Sequence, residues 1–392
     1  MSNPSPAFKE YNGPILFERG YRPFFLGAAL FAGVAIPFWV ISLKMGLDIP
    51  TGFSGRNYHI HEMIFGYLGA VLAGFLFTAM PNWTGQPALA GIRLGLLSAL
   101  WLAGRIAILT SASWPITAAV IDATYLVIVG SLAWRDVVIG GSVRNMPVCF
   151  IVSLLAVANI SYHVLHLQSL DTAWIERAAL GLIAVLISLV GGRVVPNFSG
   201  NWMRKNKLTP LPAAFSTFDK VVIASTIVTV ISWVAIPEER VTGYLFACLF
   251  IGHATRLFRW RGWKTMTEPL VFILHMGYLW LVLWFGLSGL ALLVPDIFSN
   301  SNALHALTSG AVGTMTMAIM TRAILGHSGR KLHAGGATQL IYALITAGAL
   351  IRVFAESFGL DYMMTLSISG TLWAAGFILF ALVYGPYCFS KN

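Results

Sequence analysis

The chain can be divided into twelve apolar stretches of about 20 residues, separated by short segments rich in charged residues, proline or glycine. A helix of about 20 residues crosses the hydrocarbon layer of a bilayer, whereas a membrane-spanning β-strand needs only about 10. Charged residues make up 10% of the chain, against roughly 25% in soluble domains. The sequence therefore predicts an all-α, polytopic membrane protein with twelve transmembrane helices, embedded in the lipid bilayer. The expected spans are 23–43, 59–80, 90–109, 115–134, 146–166, 175–195, 217–235, 241–258, 268–290, 303–323, 337–355 and 364–387.

Lysine and arginine concentrate on one side of this topology. If the amino terminus is cytoplasmic, the opposite side holds only Lys44, Arg56 and Arg240. A bias of this kind orients membrane proteins with the basic loops in the cytoplasm, so we expect both termini to be cytoplasmic. The net charge of +10 is spread over loops rather than gathered in one soluble module, so no nucleic-acid partner is expected.

An internal repeat is visible at the ends of spans 2, 6 and 10. The motifs there are PNWTG (81–85), PNFSG (196–200) and LGHSG (325–329). A glycine lies 15 residues before each motif, and His61, Glu176 and His305 lie 20 residues before them. We expect one membrane domain, residues 1–392, built from three four-helix repeats, approximately 21–142, 144–264 and 266–388. An even number of spans in each copy makes the copies parallel, related by an axis along the membrane normal.

The repeat places His61 and His305 at the same depth on equivalent helices. Two imidazoles at one depth on neighbouring helices can bind one metal, and histidine is the commonest ligand of haem iron and copper. An ionisable group inside a membrane span marks a site by default. The alternative for His61, and for the nearby His59, is that they are interfacial and hydrated by lipid headgroups.

His59 lies two residues before His61, which on a helix is a rotation of about 200°. The two rings should face opposite ways, so they are expected to serve two centres, or one centre and a supporting role. Glu62 follows directly. Its carboxylate can hydrogen-bond the free N–H of a ligand imidazole, or it can be a helix amino-terminal carboxylate favoured by the macrodipole.

Three further histidines are candidate metal ligands. His163 shares a helix face with His166, which suits one copper-type ion, although an interfacial pair is the alternative. His275 lies deep in apolar sequence in span 9. His327 replaces the tryptophan and the phenylalanine of the other two motifs, so the turn itself does not require an imidazole.

Arginines inside the spans form the other unusual set. Arg193 and Arg322 are equivalent in the repeat, each three residues before a helix-ending motif. Arginine binds carboxylates in a bidentate manner, and haem propionates are natural partners; snorkelling to the interface is the alternative. Asp122, inside span 4, needs a partner, for which Arg105 is a candidate.

Four segments together resemble the NnrS family, and the resemblance extends over nearly the whole chain. They are GYRPFFLGAALFA (20–32), HIHEMIFGYLGAVLAGFLFTAMPNWTG (59–85), LHMGYLW (274–280) and HALTSGAVGTMTMAIMTRAILGHSGR (305–330). The resemblance implies a twelve-helix bacterial inner-membrane protein that contains haem and copper and is associated with nitric oxide and denitrification or nitrosative stress. No CxxCH sequence occurs, so the haem would be b-type.

A looser resemblance is architectural. Three parallel four-helix units with a His-x-His on a second helix are similar to the catalytic subunit of haem-copper oxidases and nitric oxide reductases. The chain departs from that superfamily, because span 6 offers Glu176 and span 7 has no His-His pair, so oxygen reduction coupled to proton pumping is not expected.

Two functions from different classes follow. The first is a haem- and copper-binding protein that binds, and in one version reduces, nitric oxide, with electrons from quinol or another donor. Its expected cofactor ligands and partners are His61, His305, His59, Arg193, Arg322, Arg22 and Glu62, and its expected metal ligands are His61, His305, His59, His275, His327 and His163. The second is a small-solute or metal-ion transporter in which the histidines form the transit site. A purely structural role, as an assembly factor for another enzyme, is a further alternative.

Overall fold

A computed structural model describes residues 11–391, and this part of the chain is helical without any strand. Twelve of its helices are long and apolar enough to cross a membrane. They are α1 (Tyr21–Met45), α2 (Gly55–Thr84), α3 (Ile92–Leu109), α4 (Pro115–Ile139), α5 (Val143–Leu167), α6 (Ala173–Lys205), α7 (Thr217–Ala235), α8 (Arg240–Arg259), α9 (Pro269–Leu293), α10 (Asn300–His327), α11 (Gly336–Phe358) and α12 (Tyr362–Phe389). The prediction of a twelve-helix, multi-pass membrane protein is confirmed.

Most helix ends lie within a few residues of the predicted span ends, and the largest difference is at α6. The predicted span ended at residue 195, before the PNFSG motif, but the helix continues through Pro196 to Lys205. Proline is tolerated inside transmembrane helices because neighbouring groups satisfy the backbone carbonyl that it leaves unpaired. The first motif behaves differently, since α2 ends at Thr84 and Gly85 follows with a positive φ of 70°. Glycine adopts this left-handed conformation without the clash of a side chain.

The chain forms two compact units. The first comprises the described residues up to Ala179 with Ala323–Arg330 and the chain from Phe380 onward, and the second comprises Leu180–Arg322 and Lys331–Leu379. In the first unit, α4 lies against α2, α3 and α5. In the second, α9 lies against α8 and the start of α10. The expected three four-helix repeats stay a prediction.

Two helices share an unusual local geometry. In α2, a short α-helical segment ends at His61 and passes into a π-helix over Glu62–Tyr67; in α10, one ends at His305 and passes into a π-helix over Ala306–Val312. Each begins with a serine N-cap whose side chain accepts a backbone N–H three residues on. π-Helical segments are rare and frequent at functional sites. Both histidines that the repeat singled out therefore precede a distorted turn of the same kind.

Gly310 lies inside the second of these distorted turns, and we predict that replacing it with alanine destabilises the protein. A Cβ atom at this position would lie 2.5 Å from Cδ2 of Trp280, a ring that is itself buried. The substitution Gly310→Ala should cost about 1–3 kcal/mol of stability through overpacking. Thermal unfolding of the detergent-solubilised protein, followed by tryptophan fluorescence, measures this. Gly336→Ala is the control, because a Cβ there meets nothing within 4 Å; equal melting temperatures for the two variants would contradict the prediction.

Candidate metal centre

Three buried side chains of the first unit converge in the membrane-spanning region. The imidazoles of His61 and His163 and the carboxylate of Asp122 offer ligand atoms that all lie within 4.8 Å of one another. Nε2 of His163 is 2.9 Å from Oδ2 of Asp122, and Nε2 of His61 is 3.2 Å from the same oxygen. The exposed fractions of His61, Asp122 and His163 are 0%, 1% and 5%. We call these three residues the histidine–aspartate site.

The site is assembled from three helices that pack side by side. His61 lies at the start of the π-helical turn of α2, Asp122 lies two turns into α4, and His163 lies near the end of α5. Because α4 lies between α2 and α5 and contacts both, its single carboxylate can reach an imidazole on each side. Both histidines were predicted as metal ligands, His61 from span 2 and His163 from span 5, and the structure brings them together.

Two polar side chains hold the site in place. Oε1 of Glu62 is 3.0 Å from Nδ1 of His61, so Nδ1 donates its N–H to this carboxylate. Asn159 donates its amide to Oδ2 of Asp122 at 2.9 Å and places Oδ1 3.1 Å from Nε2 of His61. Nε2 of His61 therefore faces two oxygen atoms, one from Asp122 and one from Asn159. A ring protonated on both nitrogens donates to all of these oxygens, and a metal cation bound at Nε2 would take the place of the proton on that nitrogen.

Arg105 of α3 links the two carboxylates of the region. It donates one hydrogen bond to Glu62 and another to Asp122, and all three side chains are buried. The expected partnership of Asp122 with Arg105 is confirmed. One guanidinium offsets only one of two carboxylate charges, so the group keeps a net negative charge when the imidazoles are neutral. A metal cation at the histidine–aspartate site would balance it, and burial of an unbalanced charge is costly.

Aromatic rings close the site on its other sides. The rings of Phe53, Phe65 and Tyr162 have centroids 5.1, 5.3 and 5.5 Å from that of His61. Both nitrogens of His61 are in polar contact and three rings pack around it, so a small ion would need less rearrangement at this site than a porphyrin. The donor set of two imidazoles and one carboxylate suits copper, iron or zinc.

The neighbouring outer histidines face elsewhere. His59 stacks on Trp39 with ring centroids 4.1 Å apart, away from the buried His61, so the expectation that the two rings face opposite ways is confirmed. His166 packs on Phe53, with ring centroids 4.2 Å apart, and is not part of the metal-binding group. His163 and His166 share a helix face, but only His163 belongs to the metal-binding group.

The other candidates of the first unit have different surroundings. Arg22 donates hydrogen bonds to the backbone carbonyls of Tyr387 and Cys388, at 2.9 and 3.1 Å, and pairs with Glu18 at 2.9 Å. Its guanidinium therefore caps the carboxyl end of α12. His327 stacks on Tyr21, with ring centroids 5.9 Å apart.

The remaining candidates belong to the second unit. Nδ1 of His305 is 2.7 Å from the carbonyl oxygen of Ser301, so it donates and the lone pair is on Nε2. His275 is bonded through Nε2 to Ser199 at 2.7 Å, and its buried Nδ1 has no hydrogen-bond partner among the described residues. Arg322 lies 4.0 Å from the ring centroid of Phe198. Arg193 is half-buried. His61 and His305 lie in different units, so their sharing of one metal stays a prediction.

One residue of the site and one residue that supports it were not expected. Asp122 was flagged only as a buried acid in need of a partner, and Asn159 was not considered. Both occupy apolar sequence where a polar side chain is costly, which is the signal that could have found them. Their convergence on His61 depends on how α4 and α5 are rotated, and composition does not encode that.

The candidate metal centre lies inside a region shared with known proteins. The family model described as NnrS protein matches residues 15–391. The chain belongs to the NnrS family. No curated protein matches it. The match covers every residue of the histidine–aspartate site, together with Glu62, Arg105 and Asn159.

Proposed function

We propose that this NnrS-family protein binds a copper ion at the histidine–aspartate site and acts in nitric oxide metabolism or the response to nitrosative stress. The observation that carries the proposal is the convergence of two imidazoles and a carboxylate, all buried, with ligand atoms within 4.8 Å. A metal with this donor set keeps open coordination positions, at which a small molecule can bind. The name copper comes from the family resemblance, and the donor set is compatible with it.

The protein's own side chains have distinct roles in this proposal. His61 and His163 bind the ion, and Asp122 completes the donor set while it remains paired with Arg105. Glu62 orients the ring of His61 through Nδ1. Such supporting hydrogen bonds fix ring orientation and raise the basicity of the ligand. His59 faces away from this ion and is retained only as a ligand of a second centre.

The proposal places the binding site of a b-type haem in the second unit. The tautomer of His305, with its lone pair on Nε2, is the one that an axial haem ligand requires. His275 is retained as a proposed metal ligand of this unit; its buried Nδ1 has no hydrogen-bond partner among the residues described. Arg193 and Arg322 are the proposed partners of the propionates. Haem, when bound, would supply an iron that ligates nitric oxide.

The setting of the protein is part of the same proposal. The family resemblance implies a bacterial inner membrane, and the lysine and arginine bias of the loops favours both termini in the cytoplasm. Nitric oxide is small and apolar and concentrates in lipid, so it can reach a buried centre through the bilayer. Any reduction of nitric oxide would need electrons, for which quinol is the proposed donor.

Metal analysis and absorption spectra of the purified protein test the function. We expect copper bound to the chain, a Soret band, and a shift of that band when nitric oxide is added to the reduced protein. His305→Ala should lose most of the haem, whereas His333→Ala, at an exposed loop histidine, should keep it. A folded, colourless and metal-free protein would refute the proposal and favour the transporter.

A further inference from the structure

We infer that Phe53 is a gate through which small uncharged molecules reach the histidine–aspartate site from the surface. The inference rests on the proposed function for the identity of the site, but the path itself is a property of the fold. The site is sealed, since its three side chains are at most 5% exposed. Any ligand must therefore displace a side chain on its way in.

A surface cleft lies on one side of Phe53. Its volume is about 530 Å³, and it is formed by the end of α1, the loop after it and the first turn of α2. Trp39, Asp48, Thr51 and Phe53 are among its lining residues. The cleft thus extends from the exposed Asp48 to the buried Phe53.

The ring of Phe53 also packs against two of the proposed metal ligands. Phe53 stacks on His61 at 5.1 Å and 22°, and lies 5.9 Å from the ring of His163. Phe65 and Tyr162 also contact His61, but neither lines the cleft. Among the rings that pack on His61 in the described structure, Phe53 alone borders both spaces.

The backbone around Phe53 is anchored while the side chain is held by packing. Oγ of Ser111 bonds Oγ1 of Thr51 at 3.0 Å and accepts the N–H of Gly52 at 2.9 Å. Ser54 is the N-cap of α2. With both neighbours fixed, the ring can swing into the cleft by a rotation of its side chain, without unfolding of the loop.

The chemistry behind the gate selects the ligand class. The rings of Phe53, Phe65 and Tyr162 pack around His61, so a charged ligand would lose its hydration in an apolar setting. The ring and its neighbours admit only small molecules. The path therefore fits a small uncharged ligand.

A cysteine reporter tests the gate without any metal. The background has the three native cysteines, Cys149, Cys248 and Cys388, replaced by alanine. Asn159→Cys then places a thiol beside the site, and its reaction with methyl methanethiosulfonate, a small neutral reagent, is timed. Adding Phe53→Ala should raise the labelling rate at least about tenfold, and Phe53→Trp should lower it.

Phe65→Ala is the matched control, because Phe65 is also a buried ring against His61 but does not border the cleft. It should change the labelling rate less than about twofold. Equal rates in the Phe53 and Phe53→Ala backgrounds, or an equal rise with Phe65→Ala, would overturn the gate. Copper affinity of the wild-type protein is measured separately: its absence would refute the proposed function, whereas the labelling result decides the gate.

Discussion

Replacing Arg105 with leucine should lower the free energy of unfolding by about 3–5 kcal/mol, the largest stability loss that we expect from a single substitution in this chain. The guanidinium bonds Glu62 and Asp122 together, and all three side chains are buried. Without Arg105, two buried carboxylates would lose the guanidinium that pairs with both of them. Leaving one partner of a buried ion pair uncompensated costs far more than the pair itself contributes.

Heat or denaturant unfolding of the purified protein in detergent, followed by the fluorescence of its 13 tryptophans, measures this loss. Arg93→Leu is the control, because Arg93 is an exposed arginine of the same helix. The double variant Arg105→Leu with Glu62→Gln should recover part of the loss, since it removes one of the two orphaned charges. If Arg105→Leu and Arg93→Leu unfold at the same temperature or denaturant concentration, the ion pairs of Arg105 do not stabilise the protein as predicted.

The helices were largely predictable because each membrane span is a continuous run of apolar residues, long enough to cross the bilayer. The end of α6 was not, because Pro196 was taken as a helix end and the surrounding structure accommodates it. The opposite facing of His59 and His61 was also predictable, since the rotation between residues on one helix is fixed.

The histidine–aspartate site was predictable only in part. His61 and His163 were expected as metal ligands, and Asp122 was expected to pair with Arg105. That the same carboxylate also meets both imidazoles is set by the packing of α4 between α2 and α5. The repeat pairs His61 with His305, and that pairing stays a prediction. The structure adds His163, on a helix outside the repeat comparison, as a histidine beside His61.

His61→Ala and His163→Ala should each weaken copper binding by at least about 100-fold, because removing a supporting hydrogen bond alone costs 10–100-fold in metal affinity. Glu62→Gln should fall within that smaller range, since it alters only the bond to Nδ1 of His61. Equilibrium competition with a copper chelator measures all three variants. His166→Ala is the matched control: it lies three residues from His163, packs on Phe53 and is outside the metal-binding group.

The same variants separate the copper assignment from the haem assignment. If His61 binds copper, His61→Ala should lose copper and keep its Soret band, and His305→Ala should do the reverse. If His61→Ala instead lost the Soret band and kept its copper, His61 would be a haem ligand, as the repeat alone predicted. The packing of three rings around His61, at 5.1–5.5 Å, is the reason to expect the first result, because a porphyrin would have to displace them and a single ion would not.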